Sequence, residues 1–265
     1  MKLTMLGTGN AGVLKIFNTC FLMDDDHQLI LVDTGGGNRI LSQIKAAGYR
    51  VPDIHHIIIS HRHSDHITGI IWLLRQSYRA LAKEGSEDLY IYSHDEVIDI
   101  VRDFAYKLFP ENREITDRKI HFVEVHDNET VRIFNRDVTF FDIHSQKAKQ
   151  FGFCMKLKQN RKLTFLGDEP FNEYNRQYVE NAAWLMHEAF CLYAEKDIFQ
   201  PYKKQHSTAL DACKTAEKYH VRNTILYHTE ESHDNRKELY LKEGKSVYQG
   251  NLFVPDDNEV IQIED

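Results

Sequence analysis

The stretch "IIISHRHSDHITGI", Ile57 to Ile70, places three histidines and one aspartate within six residues, directly after an apolar run. The run predicts a strand over 54–60, and the residues beyond the cluster predict a helix over 67–83. Side chains at such a junction can converge on one point. His61 and His63, one residue apart, can share a cation, and Asp65 with His66 can face a second. Imidazole and carboxylate donors suit zinc, iron or manganese and do not particularly suit calcium. The bland alternative is a histidine-rich surface turn. Four such residues at this spacing, straight after a buried strand, argue against it.

Three further strand ends supply what that cluster lacks. His144 closes "VTFFDIH", Asp168 closes "KLTFLGD" and His228 closes "NTILYH". Each is a lone polar residue delivered by an apolar strand. A carboxylate such as Asp168 can bridge two cations, one on each oxygen. Taken singly these are ordinary strand-end residues; together they complete two coordination shells.

The 265-residue chain is 42% hydrophobic and 28% charged, which is ordinary globular composition. It reads as one continuous domain over 1–265, without repeat or linker. It has no apolar run of membrane-helix length. The four cysteines are scattered, which fits a reducing cytoplasm and no disulfide framework. A net charge of −7 argues against broad electrostatic binding of nucleic acid. It still permits a positive pocket, since two divalent cations outweigh Asp65 and Asp168. Gly7-Thr8-Gly9-Asn10-Ala11-Gly12 nearly fits a dinucleotide-binding loop, but no helix is expected after it, so a tight turn near an active site is the better reading. Two groups of strands, each trailed by helices, predict a layered α/β sandwich.

These motifs resemble the metallo-β-lactamase-fold hydrolases, and the resemblance covers essentially the whole chain. It implies a four-layer αβ/βα sandwich. It also implies two divalent metal ions, with zinc first and manganese or iron compatible. His61, His63 and His144 would hold one metal, Asp65, His66 and His228 the other, and Asp168 would bridge them. Leu31-Val32-Asp33-Thr34-Gly35 resembles the superfamily's Asp-x-Gly turn, in which Asp33 would support a ligand histidine.

Two more segments are similar to the tRNase Z (ribonuclease Z) branch: "LMHEAF", with Glu188, and "KQHSTALDA", with His206. That similarity implies a Glu188–His206 proton relay, beside Asp65 as the group that orients or deprotonates water, and a homodimer. The relay also makes chemical sense alone. Expelling an alkoxide from a phosphodiester needs a proton donor, and a carboxylate beside an imidazole favours imidazolium. The plainer reading of His206 is a neighbour of a helix cap at Ser207 or Thr208.

The chain also departs from that branch. Only residues 153–167 separate Gly152 from Asp168, enough for two strands and a turn but not for a tRNA-gripping arm. Val13 and Phe17 stand where the branch has proline and arginine. The expected activity is therefore a phosphodiesterase on an RNA 3′ end or a small nucleotide diester. The alternatives are hydrolysis of a carboxylic ester, lactone or thioester, or a non-catalytic metal- or nucleotide-binding sensor.

Overall fold

The computed structural model describes residues 1–263 and divides into two compact units. The first comprises Met1–Gly7, Phe17–Val125 and Asp257–Gln262. Its strands are β1 (Lys2–Gly7), β2 (Cys20–Asp25), β3 (Gln28–Val32), β4 (His56–Ile58), β5 (Leu89–Ser93), β6 (Ile120–Glu124) and, near the C-terminus, β14 (Glu259–Gln262). They form one sheet in the order β14-β1-β2-β3-β4-β5-β6. Pairing is antiparallel from β14 to β3 and parallel from β3 to β6.

Local chemistry sets this division. Asp26 and His27 both take positive φ and close β2 onto β3 as a tight hairpin. Parallel neighbours need longer crossovers. These carry α1 (Arg39–Ala46), α2 (Ser64–Ile67), α3 (Ile70–Leu81), α4 (Asp95–Leu108) and α5 (Arg113–Lys119). α3 buries Ile70, Leu73, Leu74, Ser77, Tyr78 and Leu81, the stripe of an amphipathic helix. That stripe joins Leu31, Ile57, Leu89 and Ile91 of the sheet in one core.

Two expectations change. The strand expected over 54–60 is only His56–Ile58. The helix expected over 67–83 is split into α2 and α3 at Thr68-Gly69. A Cβ on Gly69 would lie 1.9 Å from the Thr34 carbonyl oxygen, and the Gly69 N–H donates to Gly35 O at 2.9 Å. The turn after β3 thus pins the chain where the helix would have continued. α5 was not expected because it buries only Thr116 and so carries no apolar stripe.

The second unit comprises Thr8–Ile16, His126–Asp256 and Ile263. Its strands are β7 (Thr130–Ile133), β8 (Arg136–Asp142), β9 (Phe151–Lys156), β10 (Lys162–Phe165), β11 (Trp184–Glu188), β12 (Asn223–Tyr227) and β13 (Asn251–Phe253), in the order β13-β12-β11-β10-β9-β8-β7. Again one half is antiparallel, β7 to β10, and the other parallel, β10 to β13. Its helices are α6 (Arg176–Val179), α7 (Lys196–Phe199), α8 (Ala209–Lys218) and α9 (Arg236–Lys245). α8 starts with a capping box between Thr208 and Asp211, and buries Ala209, Ala212, Cys213 and Ala216. Such small side chains let the helix lie close to its sheet. β13 was not expected: it spans three residues and is defined by its pairing with β12.

The two units thus repeat one plan. In the parallel half of each, the strand ends deliver chemistry-bearing residues: Asp33 after β3, His61 after β4, His94 after β5, Asp168 after β10, Glu188 closing β11 and His228 after β12. Carboxyl ends of parallel strands are where open α/β sheets hold ligands.

One row of rings crosses the parallel half of the first sheet. His56 stacks on Tyr90 at 5.1 Å, and Tyr90 on His121 at 4.5 Å. Burial, with a smaller push from His55, lowers the pKa of His56 from 6.5 to about 4. The unfolded chain therefore takes up a proton before the folded one does. The stabilisation is complete above pH ~6.5 and declines as pH falls toward 4. Replacing His56 with Phe keeps the stack and removes the titration. Urea melts between pH 6.5 and 4 should then show a shallower loss than wild type, by on the order of 1 kcal/mol after allowing for solvent screening.

Candidate metal centre

In the first unit the site is built around Asp33, which is 0% exposed and has φ 55°. Its Oδ1 accepts the Ser60 N–H at 2.7 Å, and its Oδ2 lies 2.8 Å from both Ser60 Oγ and His66 Nδ1. Ser60 Oγ is also 2.9 Å from His61 Nδ1. The hydroxyl has one proton, and the carboxylate takes it. Ser60 Oγ must then accept from His61 Nδ1–H, which makes His61 Nε2 the acceptor nitrogen of the ring. By the same logic His66 donates Nδ1–H to Asp33, and its Nε2 is the unprotonated nitrogen. Both imidazoles thereby carry the proton on Nδ1, a tautomer in which Nε2 could hold a metal.

The remaining cluster members stand close by. His61 Nε2 is 2.8 Å from His63 Nδ1, the His61 and His66 ring centroids are 4.2 Å apart, and Asp65 Oδ2 is 3.3 Å from His66 Nε2. α2 carries Asp65 and His66, and its start at Ser64 leaves His63 extended as the preceding residue.

In the second unit Asp168 Oδ2 lies 3.5 Å from His228 Nε2. Gln150, which is fully buried, holds Asp168 from two sides. Its amide donates to Asp168 Oδ1 at 2.5 Å, and its oxygen accepts the Asp168 N–H at 2.7 Å. Gly167 has φ 75°, and a Cβ there would lie 2.0 Å from Gln150 Oε1. Glycine is therefore required both by the backbone turn and by the clamp.

Further along the same unit, Glu188, His206 and His228 each offer a ligand atom within 4.8 Å of the others. Glu188 is 0% exposed; its Oε1 accepts the Ser207 N–H, and its Oε2 is 3.6 Å from His206 Nδ1. The His206 ring stacks on Phe190 at 4.8 Å, and its Nε2 is 3.5 Å from Lys147 Nζ. Burial opposes the imidazolium form of His206, but Glu188, and then the charge of Asp168, outweigh it and raise its pKa despite Lys147. Both readings of this segment hold: Thr208 is the N-cap of α8, and His206 faces Glu188.

His144 is placed differently. It is exposed, has φ 57°, and packs on the Tyr174 ring at 4.7 Å. It joins none of the three-residue ligand groups found among the described residues.

Sequence reading missed Gln150, Ser60, Lys147 and His94. Gln150 stands just before the Phe151-Gly152-Phe153 strand, and a lone polar residue at a buried strand start was the available signal. His94 is buried at the end of β5, as the residue before α4. It follows the same strand-end pattern as the others.

Comparison with known proteins gives this geometry a lineage. The family described as "Anti-Pycsar protein Apyc1" matches residues 1–249. The chain belongs to that family. It is also similar to ribonuclease Z of Archaeoglobus fulgidus, with 22% identity over 299 aligned residues that cover 96% of this chain and 95% of that one. Among solved structures, the metallo-β-lactamase-fold protein YhfI of Bacillus subtilis superposes with a TM-score of 0.79 at 19% identity, covering 98% of each chain. Human tRNase Z, short form, superposes with a TM-score of 0.75 at 21% identity, covering 100% of each. These likenesses show the metallo-β-lactamase fold, the αβ/βα sandwich expected from the sequence. The Apyc1-family chain is thus a ribonuclease Z-like member of that fold without an arm between β9 and β10, which are joined by residues 157–161 alone.

Asp33 provides a direct test of this geometry. Asp33→Ala removes a buried acceptor from Ser60 and His66 and places alanine at positive φ. Chemical denaturation should register a loss of about 2–4 kcal/mol. Asp33→Asn tolerates the left-handed backbone and keeps one oxygen acceptor, so its loss should be clearly smaller.

Proposed function

We propose that this protein is a dinuclear metal-dependent phosphodiesterase acting on an RNA 3′ end or, as the short β9–β10 turn favours, on a small nucleotide diester. The donor chemistry fits metal: Asp33 and Ser60 fix the Nδ1 atoms of His61 and His66, so each ring offers Nε2. By the motif pattern, His61, His63 and His144 would hold one cation and Asp65, His66 and His228 the other, with Asp168 shared. His144 would have to leave its packing on Tyr174 to take part. Bound there, two divalent cations would supply Lewis-acid polarisation of the phosphodiester and activation of water at neutral pH.

The observation that carries the reading is the Glu188–His206 pair with Lys147 beside it. A leaving alkoxide needs a proton, and the imidazolium that Glu188 sustains can give one. Glu188 also fixes the ring, together with the Phe190 stack, so that the Nδ1 edge is held and the Nε2 edge faces Lys147. Lys147, whose Nζ donates to Lys204 O at 2.8 Å and lies 3.8 Å from Glu169, places a cation beside that pair in a chain of net charge −7. Asp65 orients water or takes its proton. Carboxylic esters, lactones and thioesters have leaving groups that need less specialised proton donation, so this arrangement favours phosphodiester chemistry.

The test is hydrolysis by purified protein, supplied with zinc or manganese, of bis-p-nitrophenyl phosphate, a cyclic nucleotide and precursor tRNA. Cleavage of the first two is expected. Inactivity on every diester with both metals overturns the reading, and cleavage confined to precursor tRNA overturns the preference for a small substrate. His206→Ala should lower turnover of diesters with alkoxide leaving groups by roughly 10²–10⁴-fold, and affect p-nitrophenolate release far less.

A further inference from the structure

A second cluster of cation-type donors lies in the second unit. Glu195, Glu230 and His233 each offer a ligand atom within 4.8 Å of the other two. Glu230 is 5% exposed, and its Oε1 is buried with no hydrogen-bond partner. Its Oε2 accepts the Ser232 N–H at 2.5 Å. Glu195 Oε1 is 2.5 Å from His233 Nε2, while Glu195 Oε2 is likewise buried without a partner. Two carboxylates therefore converge with one imidazole to compensate them. Arg236, in the same segment, spends its guanidinium on Thr229 Oγ1, Pro255 O and Asp256. An unpaired buried carboxylate oxygen is costly, and a cation between the two acids would remove that cost.

We propose that Glu195, Glu230 and His233 form a further divalent-cation site, separate from the ligand set of the phosphodiesterase reading and suited to zinc or manganese. One nitrogen and two oxygen donors match the preferences of those ions, and a partly exposed His233 leaves a route for entry. The cation balances both carboxylates, and His233 then serves as a neutral ligand.

The site has a structural consequence. Glu231, between Glu230 and His233, accepts the backbone N–H groups of Leu14, Lys15 and Ile16 at 2.7, 2.8 and 3.0 Å. A cation that fixes residues 230–233 fixes the carboxylate that holds this loop. The loop is also where Val13 departs from the ribonuclease Z pattern. The cation therefore acts as a positioning element for the 8–16 loop.

The test counts zinc. Wild-type protein, loaded with zinc and gel-filtered, is compared by mass spectrometry with Glu195→Gln/His233→Asn and with His61→Ala/His66→Ala. The first variant should lose about one zinc per chain relative to wild type, and should lose roughly 5 °C of the zinc-induced rise in melting temperature. The second should still retain about one zinc, held by the proposed site. Equal zinc content in wild type and a folded Glu195→Gln/His233→Asn variant overturns the proposal. So does complete loss of zinc from the His61→Ala/His66→Ala protein, a result that stands even if the other variant fails to fold.

Discussion

A buried carboxylate organises the first unit. Asp33 sits at the end of β3 with no solvent exposure, and its charge is compensated by donors from Ser60 and His66. Those donors come from the residue just before the histidine motif and from α2 within it. The bonds join the end of one strand to the start of the next crossover, which is why the rings of His61 and His66 have defined tautomers. Remove that charge and the imidazoles lose both their orientation and their proton assignment.

The second unit reaches a similar result with different parts. Gln150 holds Asp168 as Ser60 holds Asp33, but it engages only Oδ1 and leaves Oδ2 to face His228, whereas Ser60 shares Asp33 Oδ2 with His66. The backbone helps in both units. Asp33, His144 and His228 all take positive φ, and Gly167 does so just before Asp168. A left-handed residue at a strand tip ends the pleat and turns the following chain aside. Aspartate, asparagine and histidine tolerate this better than branched or bulky residues.

The functional reading depends on two features that point the same way. The proposed Glu188–His206 relay would suit a leaving group that must be protonated, while the five-residue connection between β9 and β10 is short for gripping a large nucleic acid. Membership of the Apyc1 family and the likeness to ribonuclease Z fit a shared fold, and a fold by itself does not fix the substrate.

Much of this was legible in the sequence. The motif His61-x-His63-x-Asp65-His66, the lone polar residues after β10 and β12, and the alternation of strands and helices specified the fold class and marked candidate donors. Their signals are local: an apolar run, a turn, a ligand type at a fixed spacing. What only the tertiary structure decided depends on residues far apart in the chain. Asp33 meets Ser60 and His66 across a parallel pair of strands; Gln150 reaches Asp168 through an antiparallel one. Lys147 approaches His206, and Glu195 meets Glu230 and His233, by crossovers whose geometry no short window of sequence records. The short β13 and the stripe-free α5 escaped for the same reason, since their partners, and not their own composition, define them. Sequence patterns name the donors because donor chemistry is local; the protonation and pairing of those donors are settled by contacts that form only when the chain is folded.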